Sequence, residues 1–396
     1  MADKQGILTL NSISPVGLKR FPAERYQVGS QVKEPVGILV RSQDMHELNI
    51  GESVKAIGRA GAGTNNIPIG RMSERGGPVF NAPGANANAV KELVLAGLLI
   101  AARNLLPAVR FVDGLHGTDG PDLDRKVEEG KKSFAGIELP NHTLGVIGLG
   151  KIGSLVADAA IKLGMNVMGY DPEITVDAAW SLPAQVRKAH SIDELVREAD
   201  FISIHVPLLD ATRGLINAKR IEQMKHSAVL LNFSRDGIVE NAAVLEALSS
   251  RRLKYYVCDF PARELSGHPQ VVALPHLGAS TREAEDNCAV MVVDQMRDYL
   301  EHGNIRNAVN FPNVVMARES PFRLSIANAN VPNMVGQIST ALANGGLNIH
   351  NMINKSKGNM AYTLVDVDSP VQDALLREIR AIEGVLELRY LPLQDG

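Results

Sequence analysis

Cysteine is scarce in this chain. Its 396 residues include two cysteines, Cys258 and Cys288, which stand too far apart for a zinc or redox motif. The ten histidines form no His-Glu-x-x-His pattern and no pair with cysteine at ligand spacing. We therefore expect neither a metal site nor a disulfide framework, and the low cysteine count suits a reducing compartment.

An excess of charge of one sign and long apolar runs are also lacking. The 41 basic and 44 acidic residues leave a net charge of −3, whereas broad nucleic-acid binding requires a basic surface. No apolar run reaches the roughly 18 residues that span a bilayer, and the opening MADKQGILTL lacks a signal-peptide core. We therefore expect a cytoplasmic protein of two or three domains, without nucleic-acid or membrane partners.

The most informative stretch is a glycine motif at 143–171, TLGVIGLGKIGSLVADAAIKLGMNVMGYD. An apolar run precedes Gly-Leu-Gly-Lys-Ile-Gly, and a helical pattern, a second apolar run and an aspartate follow it. The order of strand, glycine turn, helix, strand and acid predicts a βαβ unit that binds a dinucleotide. A glycine-rich loop that binds nothing is the alternative.

Each residue of this motif has a physical role. Gly148 permits the tight turn, Gly150 lets a pyrophosphate approach the helix start, and Gly153 lets the helix pack on the strand. Asp171 would accept hydrogen bonds from the ribose hydroxyls. Because its charge would repel a 2′-phosphate, Asp171 predicts NAD rather than NADP.

The first 90 residues alternate short apolar runs with helical stretches, which is typical of a small α/β domain with parallel strands. Two tight loops, 58–66 and 81–86, are glycine-rich or turn-forming; such loops are plain turns or anion sites. The helical stretch 87–103 is apolar on most faces and should be buried. Residues 113–141 read as a surface connection with one short helix.

Alternation of strands and helices continues after the glycine motif. The apolar runs at 201–206, 228–233, 255–258 and 271–274 predict further strands of a parallel sheet. Ligands of such sheets bind outside the carboxyl ends of the strands. The residues that matter most should therefore be His205, Ser234, Arg235, Asp259 and His276, which stand at or just after strand ends.

The last part of the chain has a different pattern. A long helix is predicted at 281–301 and a linker at 312–321. Strands at 322–327, 347–354, 360–366 and 386–391 and helices at 334–344 and 371–382 give the order βαββαβ, which predicts a ferredoxin-like unit. Residues 357–359, Lys-Gly-Asn, predict its hairpin turn.

Three side chains suggest alcohol oxidation. His276 can exchange a proton near neutral pH, although a capping or core histidine is the alternative. Arg235 can bind a carboxylate in bidentate fashion or form a surface salt bridge. Glu264 would raise the pKa of His276 if it lay beside the ring; otherwise it is a solvated loop residue. His205 is interpreted as a wall of the cofactor pocket rather than as a catalyst.

The glycine motif and the side chains that follow it resemble the D-2-hydroxyacid dehydrogenase family; they are, in chain order, Asp171, His205, Arg235, Asp259 and His276. The C-terminal βαββαβ unit resembles an ACT domain. The resemblance implies an α/β protein in which a Rossmann-type dinucleotide-binding domain is inserted in a flavodoxin-like substrate domain, followed by the ferredoxin-like ACT domain. The expected boundaries are 1–98 with 277–311 for the substrate domain, 99–276 for the NAD-binding domain, and 320–396 for a regulatory or dimerisation domain.

The resemblance also implies roles for individual residues. Arg235, Glu264 and His276 would be the catalytic triad, and Arg59, Ala60, Gly61, Asn81 and Arg235 would bind substrate. The cofactor would contact Gly148, Gly150, Lys151, Ile152, Gly153, Asp171, His205, Val206, Pro207, Phe233, Ser234, Asp259, His276 and Gly278. An amino-acid effector such as serine would bind at Asn328, Asn330 and Asn348.

The expected reaction is oxidation of 3-phospho-D-glycerate to 3-phosphohydroxypyruvate with NAD, the first step of serine synthesis, by a homodimer or homotetramer. The loops at 58–66 and 81–83 resemble the substrate loops of family members that act on a phosphorylated substrate, and Arg59 could supply the cation that a phosphate requires. Another D-2-hydroxyacid dehydrogenase, such as a hydroxypyruvate, glyoxylate or 2-ketoglutarate reductase, is the alternative, and a cofactor-sensing protein without activity is a third. The chain departs from the family pattern at Asp236, usually glycine, and at 259–261, where alignment on Asp259 selects Glu264 but alignment on Phe260 does not.

Overall fold

The computed structural model describes residues 4–393 of the chain. The chain forms two compact units. The first unit contains the chain up to Asn86 and from Arg282 onward, and the second spans Ala87–Thr281. The second unit is therefore an insertion between the two ends of the first.

The first unit begins with a five-stranded sheet. Its elements are β1 (Gln5–Thr9), α1 (Pro15–Leu18), β2 (Tyr26–Gly29), β3 (Gly37–Val40), β4 (Ala56–Arg59), α2 (Ile69–Glu74) and β5 (Val79–Phe80). The strands are parallel in the order β2-β1-β3-β4-β5, which is the flavodoxin-like order. Strand β2 was not predicted, because this edge strand is short and only Tyr26 in it is fully buried.

The second unit is built on a seven-stranded sheet. Its elements are α3 (Ala87–Ala102), α4 (Leu105–Asp113), α5 (Gly120–Gly130), a 3₁₀ helix (Lys131–Phe134), β6 (Thr143–Ile147), α6 (Lys151–Lys162), β7 (Asn166–Tyr170), α7 (Val176–Trp180), β8 (Arg187–Lys188), α8 (Ile192–Glu198), β9 (Phe201–Ile204), α9 (Ala218–Gln223), β10 (Val229–Asn232), α10 (Asn241–Ser249), β11 (Tyr255–Cys258), a 3₁₀ helix (Arg263–Leu265) and β12 (Val271–Ala273). All strands are parallel in the order β12-β11-β10-β9-β6-β7-β8, with a hydrophobic cluster on each face. The predicted Rossmann-type domain is confirmed.

Helix α3 belongs to the second unit from its first residue. Val94 and Leu98 are fully buried, and a Cβ on Gly97 would approach side-chain atoms of Val257 and Phe233 to within 2.9 and 3.1 Å. The units divide at 86/87 and 281/282, whereas the predicted boundaries, 98/99 and 276/277, cut through α3 and the loop after β12. A boundary inside α3 would expose this apolar face, which is why the helix stays with one unit.

The connection after α3 is more helical than predicted. Within 113–141, where we expected one short helix, the structure has α5 and the first 3₁₀ helix, and α4 precedes this stretch. No single helix among residues 4–393 has the length and apolar character to cross a bilayer; α3 and α4 meet that test only as a pair bent by 67°.

The chain returns to the first unit with a long helix and an antiparallel sheet. The elements are α11 (Arg282–His302), β13 (Phe322–Ala329), α12 (Met334–Asn344), β14 (Ile349–Lys357), β15 (Met360–Val367), α13 (Asp373–Arg380) and β16 (Val385–Pro392). The strand order is β14-β15-β13-β16, and both helices pack on one face. The predicted βαββαβ unit is confirmed.

The opposite face of this sheet packs on the rest of the first unit. Tyr362 and Leu364 of β15 share a core cluster with Tyr299 of α11 and with Phe311. The segment at 312–321 is therefore not the linker that we predicted: Val314 is fully buried and pairs with Ile305. The sequence did not reveal this packing because the segment's polar residues and prolines resemble a loop.

A buried ion pair joins β13 to β15 in the C-terminal sheet. The guanidinium of Arg323 donates to both carboxylate oxygens of Asp366, at 2.6 and 2.8 Å, and both side chains are fully buried. Its remaining donors reach the carbonyl oxygens of His302, Met316 and Ala317 at 2.9–3.1 Å. Because the N–H donors of the Arg323 guanidinium all have acceptors, the buried positive charge is stabilised in the interior.

Side chains of the tail also complete the end of α11. Arg389 donates to the carbonyl oxygens of Tyr299 at 3.0 Å and Leu300 at 2.6 Å, and its guanidinium lies 4.5 Å from the Tyr299 ring centroid. The hydroxyl of Tyr362 donates to the Gly303 carbonyl at 2.6 Å. The last carbonyl groups of a helix lack partners within the helix, and here the tail donates to Leu300 and adds a second donor to Tyr299, which also accepts the Gly303 N–H.

Candidate active site

Three glycines shape the turn between β6 and α6. Gly148 has φ +90°, and an added Cβ would lie 2.6 Å from the carbonyl oxygen of His205. A Cβ on Gly153 would overlap the carbonyl oxygen of Gly148, whereas nothing lies within 4 Å of a Cβ on Gly150. Gly148 therefore forms the tight turn, Gly153 allows the close packing of helix on strand, and Gly150 leaves space for a ligand, as predicted.

Helix α6 presents its first turn to this open side. Gly150 is the N-cap, no side chain caps the helix, and no acidic residue occupies its first turn. The backbone N–H groups near Lys151 and Ile152 and the helix dipole can therefore receive an anion such as a pyrophosphate. The residues present fit a dinucleotide.

Asp171, directly after β7, holds the glycine turn. Its Oδ2 accepts the Leu149 N–H at 2.8 Å, and its Oδ1 accepts the Glu173 N–H at 3.0 Å. Each carboxylate oxygen can accept a further hydrogen bond, so a ribose contact remains compatible with this arrangement and stays a prediction.

His205 follows β9 and is a neutral group. Its Nε2 exchanges a 2.8 Å hydrogen bond with the Ser203 hydroxyl, and its Nδ1 is buried without a partner among the described residues. Burial lowers the pKa of His205 to about 3. A group that stays neutral suits a pocket wall better than proton transfer near neutral pH. The adjacent segment 206–207 is fixed by the Ser234 hydroxyl, which donates to the Val206 carbonyl.

Arg235 stands at the carboxyl end of β10, two residues after the buried Phe233. The Asn232 side chain organises this loop: Nδ2 donates to the Arg235 carbonyl at 3.0 Å, and Oδ1 accepts the Ser234 N–H at 3.1 Å. The Arg235 guanidinium is exposed and donates to the Ser234 carbonyl at 2.7 Å, but within 4–393 it forms no ion pair. Its charge is thus available to a ligand.

His276 lies on the loop after β12 in a left-handed backbone conformation, with φ +56°. Its N–H is held by the carbonyl groups of Asp259 at 3.1 Å and Leu274 at 3.0 Å. The ring is exposed and packs against Phe260, with 5.1 Å between ring centroids. A non-glycine residue with positive φ is uncommon and marks a constrained position.

Asp259 positions this loop. Its side chain is buried, and its Oδ1 and Oδ2 accept the N–H groups of Leu277 at 2.7 Å and Gly278 at 2.8 Å. We expected Asp259 to contact the cofactor. In the structure each oxygen accepts one backbone N–H from the loop after His276 and can accept a further hydrogen bond, so the cofactor contact stays a prediction.

Glu264 does not meet His276. It is exposed on the second 3₁₀ helix, and its Oε1 accepts the Asn241 side-chain N–H at 3.2 Å. No hydrogen bond or ion pair joins Glu264 to His276 within residues 4–393. The predicted pairing is therefore absent from this conformation, because the 3₁₀ helix turns the carboxylate toward α10. Asn241 was not identified from the sequence, since this contact links separate elements.

The predicted substrate residues of the first unit lie on two joined loops. The N–H groups of Ala60 and Gly61 donate to the carbonyls of Val40 and Arg59, both at 2.8 Å, so a carboxylate there would have to displace these partners. The Arg59 guanidinium folds against Gly61, where an added Cβ would overlap it. Asn81 Nδ2 donates to the Ala62 carbonyl at 2.6 Å and ties the loops together.

Among residues 4–393, no hydrogen bond joins the three predicted effector residues to one another. Asn328 is buried and donates to the Ala329 carbonyl at 2.7 Å, with its Oδ1 unpaired among the described residues. Asn330 donates to the Gly358 carbonyl at 3.0 Å, and the Asn348 N–H donates to Asp368. Within 4–393, no group of three or more His, Cys, Asp or Glu residues could hold a metal ion.

Comparison with known proteins gives a consistent result. Residues 116–278 match the D-isomer specific 2-hydroxyacid dehydrogenase, NAD binding domain. The chain is 30% identical over 360 residues to D-3-phosphoglycerate dehydrogenase of Escherichia coli, covering 87% of this chain and 83% of that protein. It is 35% identical over 306 residues to D-3-phosphoglycerate dehydrogenase of Methanocaldococcus jannaschii, covering 75% of this chain and 55% of that protein.

The relatives differ in length. The chain spans 55–60% of the D-3-phosphoglycerate dehydrogenases of M. jannaschii, Synechocystis and Archaeoglobus fulgidus. Among solved structures, NAD⁺-bound 3-phosphoglycerate dehydrogenase of Entamoeba histolytica is similar, with a TM-score of 0.60 and 25% identity, covering 78% of this chain and 99% of that one.

Proposed function

The chain belongs to the D-isomer specific 2-hydroxyacid dehydrogenase family, and we propose that it oxidises 3-phospho-D-glycerate to 3-phosphohydroxypyruvate with NAD. The observation that carries this proposal is the pair Arg235 and His276. Both are exposed on loops at the carboxyl ends of β10 and β12, the same edge of the sheet as the glycine turn after β6. A cation and a proton acceptor at this edge are what 2-hydroxyacid oxidation requires.

The proposed reaction divides between these two residues. Arg235 binds the substrate carboxylate and polarises the C2 oxygen. His276 accepts the C2 hydroxyl proton while the C–H bond at C2 breaks and the carbonyl forms. NAD, when bound at the glycine turn, supplies the hydride acceptor. Glu264, Asn241 and Phe260 contribute by positioning the loops and the ring, and a closer approach of Glu264 to His276 remains part of the proposal.

We also propose roles for Asp171, Arg59, the two units and the C-terminal tail, because the chain belongs to this family. The carboxylate of Asp171 favours NAD over NADP, and Arg59 binds the substrate phosphate. The first unit is assigned to substrate binding and the second to the cofactor. The tail is assigned an ACT-type role, with serine or another amino acid as a candidate effector near Asn328, Asn330 and Asn348.

A homo-oligomer is the proposed assembly. Helix α4 exposes an apolar stripe formed by Leu105, Val109 and Val112. Exposed apolar patches of this kind mark association surfaces. Light scattering on the wild type and on a Val109→Lys variant tests this assignment. A monomeric wild type would contradict it. Adding serine to the activity assay tests the proposed effector role. We also propose that the protein acts in the cytoplasm.

The decisive experiment compares two substrates. We expect NAD-dependent oxidation of 3-phospho-D-glycerate with a much higher kcat/KM than oxidation of unphosphorylated D-glycerate. The reverse assay with 3-phosphohydroxypyruvate and NADH provides a second measure. Equal or better turnover of D-glycerate, or of hydroxypyruvate in reverse, would show that the chain is a different member of the family.

A further inference from the structure

The C-terminal hairpin reaches the loop that we assign to substrate. Lys357, at the end of β14, donates through Nζ to the Ala308 carbonyl at 3.1 Å. Ala308 pairs with Phe80 in an antiparallel bridge, and the N–H of Asn81 faces the Asn307 carbonyl at 3.5 Å. The tail therefore places an ammonium group near the end of β5, which Asn81 directly follows.

A cavity connects these groups. It has a volume of about 480 Å³, in the range of small-molecule sites. Its lining includes Asn81, Asn307, Asn313, Ser356 and Lys357. Asn81 is also bonded to the Ala62 carbonyl, so the cavity adjoins the loop that begins at Arg59. All of these residues belong to the first unit.

The cavity is lined by one cationic side chain and by no carboxylate. Lys357 brings the only charge, since neither aspartate nor glutamate lines the cavity, and amide and hydroxyl groups supply the other polar atoms. Within the described part of the chain, Lys357 forms no ion pair, and the Ala308 carbonyl takes one of its three N–H donors. Such a lining suits an anion with several acceptor oxygens, and a phosphate monoester has this character.

The hairpin that carries Lys357 is held from two sides. Asn330 donates through Nδ2 to the Gly358 carbonyl at 3.0 Å, and its N–H donates to the Asn359 carbonyl at 2.9 Å. Arg323 of the same sheet donates to the carbonyl oxygens of His302 and Met316, which precede the sheet in the chain. The backbone that positions the ammonium is thus fixed, and binding need not order it first.

We propose that Lys357 binds the phosphate of the substrate, so that the C-terminal tail completes the substrate site of the same chain. This inference rests on the proposed oxidation of 3-phospho-D-glycerate. Lys357 acts together with Arg59 on the phosphate and takes no part in proton or hydride transfer. The tail would then determine specificity directly, besides any role in association or regulation.

Lys357→Met, Lys357→Arg and the matched control Lys355→Met test this inference. Lys355 is an exposed lysine on the same strand that does not line the cavity. For Lys357→Met we expect the KM for 3-phospho-D-glycerate to rise about tenfold or more, the loss typical of a charge-assisted hydrogen bond. Its KM for D-glycerate and its kcat should stay within about twofold of wild type. Lys357→Arg should retain most of the affinity, and Lys355→Met should behave as wild type.

Inorganic phosphate provides a second probe. As a competitive inhibitor against 3-phospho-D-glycerate, it should bind Lys357→Met more weakly than wild type and Lys355→Met unchanged. An unchanged KM for the phosphorylated substrate in Lys357→Met would overturn the inference while leaving the proposed function intact. An equal rise in both KM values would assign Lys357 a structural role and also overturn it. A wild type without preference for the phosphorylated substrate would instead refute the proposed function.

Discussion

The Oδ2 atom of Asp259 accepts the backbone N–H of Gly278 at 2.8 Å in a buried environment. Asp259→Asn keeps the shape of the side chain but turns one acceptor oxygen into a donor that faces a backbone N–H. We expect a loss of about 1–3 kcal/mol of stability and a fall in kcat, because the loop after His276 loses an anchor. Urea unfolding and steady-state kinetics check this. The exposed Asp210→Asn serves as control, and an unchanged kcat in Asp259→Asn would contradict the positioning role.

His276→Asn should lower the turnover rate severely and leave cofactor binding intact. Loss of a general base costs about 10²–10⁴-fold in rate. The chain has one tryptophan, Trp180, exposed on α7, which follows Asp171 in the chain, and its fluorescence can be used for an NAD titration. His226→Asn, an exposed histidine of the same unit, is the control. A near-normal rate in His276→Asn would show that the proposed proton acceptor is another group.

Asp171→Ser should shift the coenzyme preference. Removing the carboxylate deletes the repulsion of a 2′-phosphate and also deprives the Leu149 N–H of its 2.8 Å acceptor. We expect the ratio of kcat/KM for NAD to that for NADP to fall by about tenfold or more, the effect of about 1.4 kcal/mol. Asp177→Ser, on α7, should leave the ratio unchanged. A wild-type enzyme that already prefers NADP would be the contrary result.

Arg323→Met should destabilise the first unit strongly, since it leaves Asp366 charged in the interior. Breaking a buried pair costs about 3–5 kcal/mol, while replacing both partners by apolar residues is often neutral. We therefore expect Arg323→Met with Asp366→Leu to recover most of the loss in urea unfolding. Arg306→Met, which removes a more exposed pair with Asp298 at 3.6 Å, should cost less than about 1 kcal/mol.

His205 predicts an acid-side loss of stability. Its folded pKa of about 3 lies below the unfolded value of 6.5, so the unfolded chain alone takes up a proton between these values. The free energy of unfolding should therefore fall as the pH drops from 6.5 toward 3, by on the order of 5 kcal/mol in total. His205→Gln should flatten this part of the Tm–pH curve relative to wild type and to the exposed His190→Gln. An identical slope in all three proteins would disprove the assignment.

Local patterns were sufficient for most of the fold. The strands of the second unit appear as buried apolar runs, and the βαββαβ tail has clear turns, so their periodicity is visible in the sequence. The roles of Gly148 and Gly153 were predictable because each follows from contacts within one βαβ unit. The flavodoxin-like strand order came from family resemblance, since short parallel strands do not reveal their neighbours.

Long-range contacts account for the differences. The bond between Glu264 and Asn241 joins two elements whose separation the sequence does not specify, and the commitment of Asp259 to the backbone depends on the path of the loop after β12. Likewise, the composition of 312–321 does not indicate that Val314 is buried. A side chain's type gives its chemistry, but its partners follow from tertiary packing.

The carbonyl groups at the end of α11 are occupied by Arg389, Arg323 and Tyr362 from the tail. A peptide-bond cut between Ala317 and Ser320 would consequently not release the last part of the chain. The two fragments would remain joined by these bonds and by the shared apolar core, and would migrate as one particle until a denaturant separates them. A gene that encoded the two pieces separately could in this way still yield one complete protein.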